Sequence, residues 1–155
     1  MRTFLLILLL GVSAFAQKFD LGIGKTAAGF KQVNNADIYS KETGYGFEPG
    51  QVIACFDRKK GGDLRSDFCT SDNPFYFSVA VPEGNYKITV TFGDAENPTQ
   101  NVVKAELKRL MLENVETKKG QFATQSFIVN IRTPKITTGG EVKLKDREKA
   151  SERWA

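Results

Sequence analysis

The sequence predicts an all-β protein, a jelly-roll β-sandwich, and three observations point to this fold class. Short runs rich in Val, Ile, Phe, Tyr and Thr recur along the chain. Turn-forming Gly, Pro and Asn separate these runs about every ten residues. Within the runs, apolar and polar residues alternate, which is the period of a strand with one buried face. The length of 155 residues allows one domain with a hydrophobic core and is too short for two ordinary ones, so we expect a single domain.

The first sixteen residues predict a signal peptide. Arg2 gives a positively charged start, Phe4 to Leu10 form an apolar run, and Ala14 to Ala16 form a small-x-small cleavage site. The mature domain would then run from residue 17 to residue 155 with a net charge of +3. The apolar run is far shorter than the ~20 residues of a membrane span. We therefore expect a secreted or periplasmic protein with no membrane partner.

The segment from Phe19 to Thr26 predicts a first strand followed by a turn. Its Gly22-Ile-Gly24-Lys25-Thr26 string shares letters with a P-loop and with a dinucleotide fingerprint. The P-loop requires a glycine five positions before Gly24, where Phe19 stands. The dinucleotide motif requires a βαβ unit that the predicted strands do not supply. We interpret these glycines as turn residues.

The string Tyr-Ser-Lys-Glu-Thr-Gly-Tyr-Gly-Phe-Glu is the candidate ligand site. Tyr45 and Phe47 flank a glycine there, in a turn-like stretch with polar neighbours. Aromatic faces beside fixed polar groups are typical of carbohydrate sites. The predicted ligand residues are Tyr39, Tyr45, Phe47 and Glu48. Aromatic residues at alternate positions are also typical of a buried strand, and this core interpretation stays open beside the ligand hypothesis.

Two cysteines, Cys55 and Cys69, predict one disulfide because an exported chain matures in an oxidising compartment. Closing a loop of about 15 residues would stabilise the fold by ~3 kcal/mol. Acidic residues in and beside this loop could offer oxygen ligands to Ca²⁺, but their spacing matches no calcium loop. We expect a solvated loop and no cofactor. The acidic residues are Asp57, Asp63, Asp67 and Asp72.

The middle of the chain predicts a β-hairpin. Its two β-rich runs, Phe75 to Val81 and Tyr86 to Phe92, are joined by a Pro-Glu-Gly-Asn turn. Lys104 to Glu113 contains good helix formers, but we expect strand there because its neighbours are strands and the connections are short. The charged residues 143–153 are compatible with either a helix or a connection. Further strands are predicted at residues 101–107, 109–116, 121–132 and 141–145.

The sequence carries no catalytic residues that we can assign. The chain has no histidine, so Ser-His and Cys-His mechanisms lack their general base. Eighteen Asp and Glu residues could serve a two-carboxylate glycosidase, but no motif places two of them across a cleft. Lysines and carboxylates alternate without forming a basic stripe, so the pI near 9.1 does not indicate a nucleic-acid partner.

Four strings of the sequence carry a family resemblance: Phe19–Lys25, Tyr39–Glu48, Val81–Tyr86 and Val103–Met111. They resemble the N-terminal galactose-binding-like domain of secreted rhamnogalacturonan acetylesterases, and a related domain precedes beta-agarases. The resemblance runs from about Phe19 to about Arg147. It implies a galactose-binding-domain-like sandwich that precedes a catalytic domain of the SGNH-hydrolase type. The Gly-Asp-Ser and Asp-x-x-His motifs of that catalytic domain do not occur in this sequence.

The resemblance also implies a function. The chain would be a non-catalytic accessory domain, for carbohydrate recognition or positioning, of a secreted pectin-directed carbohydrate esterase. Its partners would be plant cell-wall polysaccharide and the hydrolase domain, before which this chain is expected to be truncated. A purely structural module that supports the hydrolase domain and binds no ligand of its own is the alternative that stays open.

Overall fold

The computed structural model describes residues 16–106, 108–133, 138–143 and 145–146. The predicted signal peptide, except for its last residue, and most of the charged C-terminal stretch lie outside these residues. No helix in the described part is long and apolar enough to cross a membrane. The described chain is built of strands, which confirms the all-β prediction. They are β1 Phe19–Leu21, β2 Lys31–Val33, β3 Tyr45–Phe47, β4 Ala54–Asp57, β5 Asp67–Thr70, β6 Phe77–Val79, β7 Gly84–Gly93, β8 Thr99–Ala105, β9 Arg109–Thr117 and β10 Phe122–Ile131.

Among the described residues these strands pair in five two-stranded ladders. β1 and β2 are parallel, with Phe19 opposite Lys31. The other four ladders are antiparallel and join β3 to β6, β4 to β5, β7 to β10 and β8 to β9. The ladders of β7 with β10 and of β3 with β6 join strands that are distant in sequence, so the fold depends on non-local pairing.

The longest ladder pairs all ten residues of β7 with β10. Along β7 the side chains alternate between half-buried and exposed, as the period-2 pattern predicts. Ile88 lies opposite Phe127 and Tyr86 lies opposite Val129, which is only 6% exposed. On the outer face, the Thr89 and Ser126 hydroxyls lie 2.8 Å apart in a hydrogen bond. The ladder therefore covers the core with its apolar face and presents hydroxyls to solvent.

The predicted hairpin between β6 and β7 is wrong. Both runs are strands, but β6 pairs with β3 and β7 pairs with β10. Tyr45 lies opposite Val79 in the first of these ladders. The period of the sequence identifies a strand but carries no information about its partner, and the Pro-Glu-Gly turn serves a crossover between ladders.

The strands predicted on either side of Leu107 are confirmed. β8 and β9 form an antiparallel hairpin, and strand rather than helix is the conformation on both sides of the turn between Lys104 and Glu113. At the turn, Glu106 and Lys108 have φ angles of 54° and 72°, in the left-handed region. The Glu106 carboxylate accepts a hydrogen bond from the Asn130 amide at 2.8 Å and so ties this turn to β10.

An aromatic chain forms the centre of the core. Phe47 is fully buried, and its ring centroid lies 5.4 Å from that of Phe77 and 5.8 Å from that of Phe75. Phe77 continues the contact to Phe19 at 5.3 Å. Edge-to-face pairs of this kind add to the free energy of burial. β1, β3 and β6 are therefore held together by aromatic packing.

Candidate functional site

The predicted ligand segment is anchored by its own backbone. The Tyr39 amide donates to the Phe47 carbonyl at 2.8 Å, and the Phe47 amide donates to the Asp37 carbonyl at 2.8 Å. Gly46 sits between these bonds with a φ of 146°, and a Cβ there would lie 2.5 Å from the Tyr39 nitrogen. The glycine between Tyr45 and Phe47 is therefore required by close backbone packing.

Two of the predicted ligand residues are buried. Phe47 has 0% exposure, so its ring offers no face to a ligand and the core interpretation applies to it. Glu48 is 6% exposed, and its carboxylate accepts a hydrogen bond from the Ser78 hydroxyl at 2.7 Å. Both side chains stabilise the ladder between β3 and β6. Of the four predicted ligand residues, Tyr39 and Tyr45 are the two whose rings a ligand could reach.

Tyr45 and Tyr39 are half-buried, and their binding role stays a prediction. The Tyr45 ring packs against Phe19 with centroids 5.0 Å apart. The Lys31 ammonium lies 4.8 Å from the Tyr45 ring centroid, within the range of a cation–π interaction. A sugar stacking on that face of Tyr45 would have to displace Lys31.

A disulfide-linked hairpin presents a second group of aromatic residues. Cys55 and Cys69 are bonded, as predicted, and face each other in the β4 to β5 ladder. Both cysteines are half-buried, whereas the neighbouring Phe56 is exposed. The alternation of the strand thus directs the disulfide and Phe56 to opposite faces of the hairpin.

Phe56 and Phe68 lie directly opposite each other on that hairpin, and we call their two rings the aromatic platform. The ring centroids are 5.7 Å apart and the rings are tilted by 35°. Phe56 remains 40% exposed. The Arg58 guanidinium carbon lies 5.2 Å from the centroid of Phe56 and 5.4 Å from that of Phe68. The aromatic platform therefore has a cation against it on one side.

Arg58 is held in place by Asp94. Its Nε and Nη2 donate to the two Asp94 oxygens at 3.0 and 2.9 Å, a bidentate pair. Asp94 is 4% exposed and also accepts from the Glu96 amide at 2.9 Å. The hydrogen bond from Arg58 is the main reason that the pKa of Asp94 falls to about 2. Glu96 extends the network, at 3.5 Å from Arg58 and 3.3 Å from Lys60.

The glycine string after β1 makes room for an aspartate. The Gly24 amide donates to the Asp67 carboxylate at 2.6 Å, and a Cβ at Gly22 would overlap that carboxylate. The interpretation of the two glycines as turn residues is confirmed, and close approach rather than positive φ is the reason for them. Asp20 accepts from the Ala27 amide at 2.9 Å, and burial is the main cause that raises its pKa.

The acidic residues considered for calcium are largely engaged with other partners. Asp67 binds the glycine loop, and Asp63 forms an ion pair with Lys25 at 3.3 Å. Asp57 accepts from the Lys59 amide at 2.7 Å, and Asp72 is exposed beyond the end of β5. Within the described part of the chain, no three acidic, histidine or cysteine side chains are grouped to hold a metal ion.

Among the surface clefts of the described residues, two are candidates for a ligand site. The larger, of about 550 Å³, lies at the ends of β8 and β9 and is lined by Pro98 and by polar residues such as Gln100 and Glu116. The smaller, of about 280 Å³, is lined by Lys25, Asp63 and neighbouring polar residues. Neither has an aromatic side chain among its described lining residues, so neither offers a stacking surface.

Three comparisons with known proteins point to the same family. The family model described as beta-agarase/YXIM esterase-like, galactose-binding domain-like matches residues 17–139. Beta-agarase A of Zobellia galactanivorans is 27% identical over 124 residues, which cover 77% of this chain and 22% of the agarase. The crystal structure of YXIM from Bacillus subtilis has a TM-score of 0.58 at 23% identity, covering 75% of this chain and 32% of that chain. The chain thus spans a minor part of the length of each relative.

Proposed function

Since this chain belongs to the beta-agarase/YXIM esterase-like, galactose-binding domain-like family, we propose that it is a non-catalytic carbohydrate-binding module of a secreted carbohydrate-active enzyme. The observation that carries this proposal is the family match over residues 17–139, nearly the whole described chain. The all-β galactose-binding-domain-like sandwich and the family resemblance expected from the sequence are both confirmed. Fold alone does not assign a ligand, so the ligand itself is part of the proposal.

Catalysis, in this proposal, belongs to a separate hydrolase domain that works beside the module. The absence of histidine from the sequence supports it, because the common acyl-transfer mechanisms need an imidazole base. This chain covers only 22% of the agarase and 32% of the YXIM chain, which also supports a separate catalytic domain. The finer proposal is that the module directs a pectin-active esterase to plant cell-wall polysaccharide.

The proposed location is extracellular or periplasmic. Its structural support is the bond between Cys55 and Cys69, since disulfides persist in oxidising compartments. The predicted N-terminal signal is consistent with the same route. A chain made without that signal should keep both cysteines reduced in the cytosol, which thiol labelling would report.

A structural role without a ligand is the second candidate function. It is favoured by the burial of Phe47 and of Glu48, which turns half of the predicted ligand residues into core. In that case the module would support a neighbouring hydrolase domain by packing alone.

A depletion assay separates the two functions. The purified protein is mixed with insoluble galactan, rhamnogalacturonan or agarose, with cellulose as the control polysaccharide, and the protein left in solution is measured. We expect saturable depletion by at least one of the first three and none by cellulose. Folded protein that remains in solution with all four would contradict the binding function and favour the structural one.

A further inference from the structure

We propose that the aromatic platform of Phe56 and Phe68, together with Arg58, is the sugar-binding surface and that it takes a neutral hexopyranose ring. This inference rests on the proposed carbohydrate-binding function and names its site. It moves the site from the predicted string around Tyr45 to the disulfide-linked hairpin.

The aromatic platform lies on the solvent side of its hairpin. Phe56 is 40% exposed although it lies within a paired strand. The next cross-strand pair on the same face is Ala54 opposite Thr70, and both are exposed and small. A ligand can therefore approach the rings from that side without meeting a bulky side chain.

The aromatic platform is already ordered before a ligand arrives. The bond between Cys55 and Cys69 links the two residues that directly precede Phe56 and follow Phe68, and so holds the backbone that carries both rings. The bidentate contact with Asp94 fixes Arg58 against the other side of the rings. Binding would freeze few side-chain rotamers, and this preorganisation favours affinity for a small ligand.

The chemistry beside the rings suits a sugar. The apolar C–H face of a pyranose packs on an aromatic ring, and its hydroxyl groups need donors and acceptors at the edge. On the open side of the rings the exposed Thr70 supplies a hydroxyl group. On the opposite side, Lys60 and Glu96, with side chains 70% and 40% exposed, form an ion-pair network with Arg58. Together with Asp94, this network has two cations and two carboxylates. Its charges balance, which favours a neutral sugar over a uronate or a phosphate.

The size of the aromatic platform also favours a single sugar over a protein. A stable protein interface buries about 800 Å² on each partner. Two phenyl rings, one of them half-buried, present a small fraction of that area, whereas one pyranose ring covers a phenyl ring. The occupant that matches both the area and the balanced charge is therefore one hexopyranose residue of a polysaccharide chain.

The test is calorimetric titration of the full chain with a neutral galacto-oligosaccharide. We expect Phe56→Leu, which keeps an apolar side chain but removes the ring, to weaken binding by about tenfold or more. Phe56→Trp should retain binding. Tyr76→Leu removes an aromatic side chain that is 50% exposed on another segment and is the matched control, and Tyr45→Leu tests the string predicted from the sequence. Both should bind like the parent protein.

A second measurement reports contact with the sugar directly and does not depend on comparing affinities between variants. In a Trp154→Phe background, the indole introduced by Phe56→Trp is the only one in the chain, and its fluorescence should change on saturation with the sugar. Loss of binding in Tyr45→Leu with unchanged affinity in Phe56→Leu would overturn this site and leave the carbohydrate function intact. If the parent protein binds none of the polysaccharides or oligosaccharides, both the carbohydrate-binding function and this site are wrong.

Discussion

At Gly46 the backbone leaves no space for a side chain. The residue has a φ of 146°, and an added Cβ would lie 2.5 Å from the Tyr39 nitrogen and 2.7 Å from the Asp37 carbonyl oxygen. We expect Gly46→Ala to lower the free energy of unfolding by about 3 kcal/mol or more, since backbone strain adds to a clash with backbone atoms. Urea denaturation measures the loss.

Gly50→Ala is the matched control for that variant. Gly50 also has a positive φ, 81°, but nothing lies within 4 Å of the added Cβ. Only the conformational strain of about 1 kcal/mol should remain. Equal losses in the two variants would show that the close approach at Gly46 does not matter.

Asp94 should make the stability depend on pH in the acid range. Its pKa is about 2 in the folded protein against an ordinary value of 3.8. The stabilisation is therefore fully present above pH 3.8 and is lost as the pH falls towards 2, by about 2 kcal/mol. Asp94→Asn cannot ionise, so the stability gap between parent and variant should shrink over this range. If the difference in unfolding free energy between parent and variant stays constant from pH 6 to pH 2, the contact of ionised Asp94 with Arg58 is not what stabilises the fold.

Sequence periodicity predicted which aromatic residues lie in strands, but it did not predict which of their rings are buried and which are exposed. Tyr45 and Phe47 lie two residues apart in β3, yet Phe47 is fully buried and Tyr45 is half-buried with Lys31 against its ring. The pair of Arg58 and Asp94 was missed because the two residues are 36 positions apart and nothing local links them. Phe56 lies in the loop that the sequence marks by its cysteines and acidic residues, and its position next to Cys55 in an alternating strand is the signal that points to an exposed ring.

The hairpin of β4 and β5 is the element that carries the proposed site, and its disulfide should dominate its stability. The bond between Cys55 and Cys69 closes a loop with a sequence separation of 14. We expect the double variant Cys55→Ser/Cys69→Ser to lose about 3 kcal/mol of unfolding free energy in urea. Reducing the parent protein should give the same loss. A change below 0.5 kcal/mol would mean that the strand pairing alone holds the hairpin.

At the level of elements, local pattern predicted the strands and non-local contact decided their pairing. The alternation in β7 followed from the side-chain period and is confirmed. The strand conformation on both sides of the turn between β8 and β9 followed from the neighbouring strands and the short connections, and it is confirmed too. The partner of β6 did not follow, because a turn of Pro, Glu and Gly suits a crossover as well as a hairpin. The parallel pairing of β1 with β2 has no local signature either.

For the whole molecule, the family match and the structure describe a small all-β module that recurs in larger carbohydrate-active relatives. Aromatic packing of β1, β3 and β6 lies at the centre of its core, and β10 adds the buried Val129. The hairpin of β4 and β5 directs aromatic side chains outward. This separation of packing from exposed aromatic surface is what a binding module needs, because a ligand can occupy the aromatic platform without disturbing the core.

The most direct test of carbohydrate binding is a titration of isotope-labelled protein with a neutral galacto-oligosaccharide, followed in amide and aromatic NMR spectra. We predict saturable chemical-shift changes concentrated at Phe56, Phe68 and the Arg58 side chain, with small changes at Tyr45. Spectra of a folded protein that stay unchanged up to millimolar sugar would show that this module does not bind the oligosaccharide.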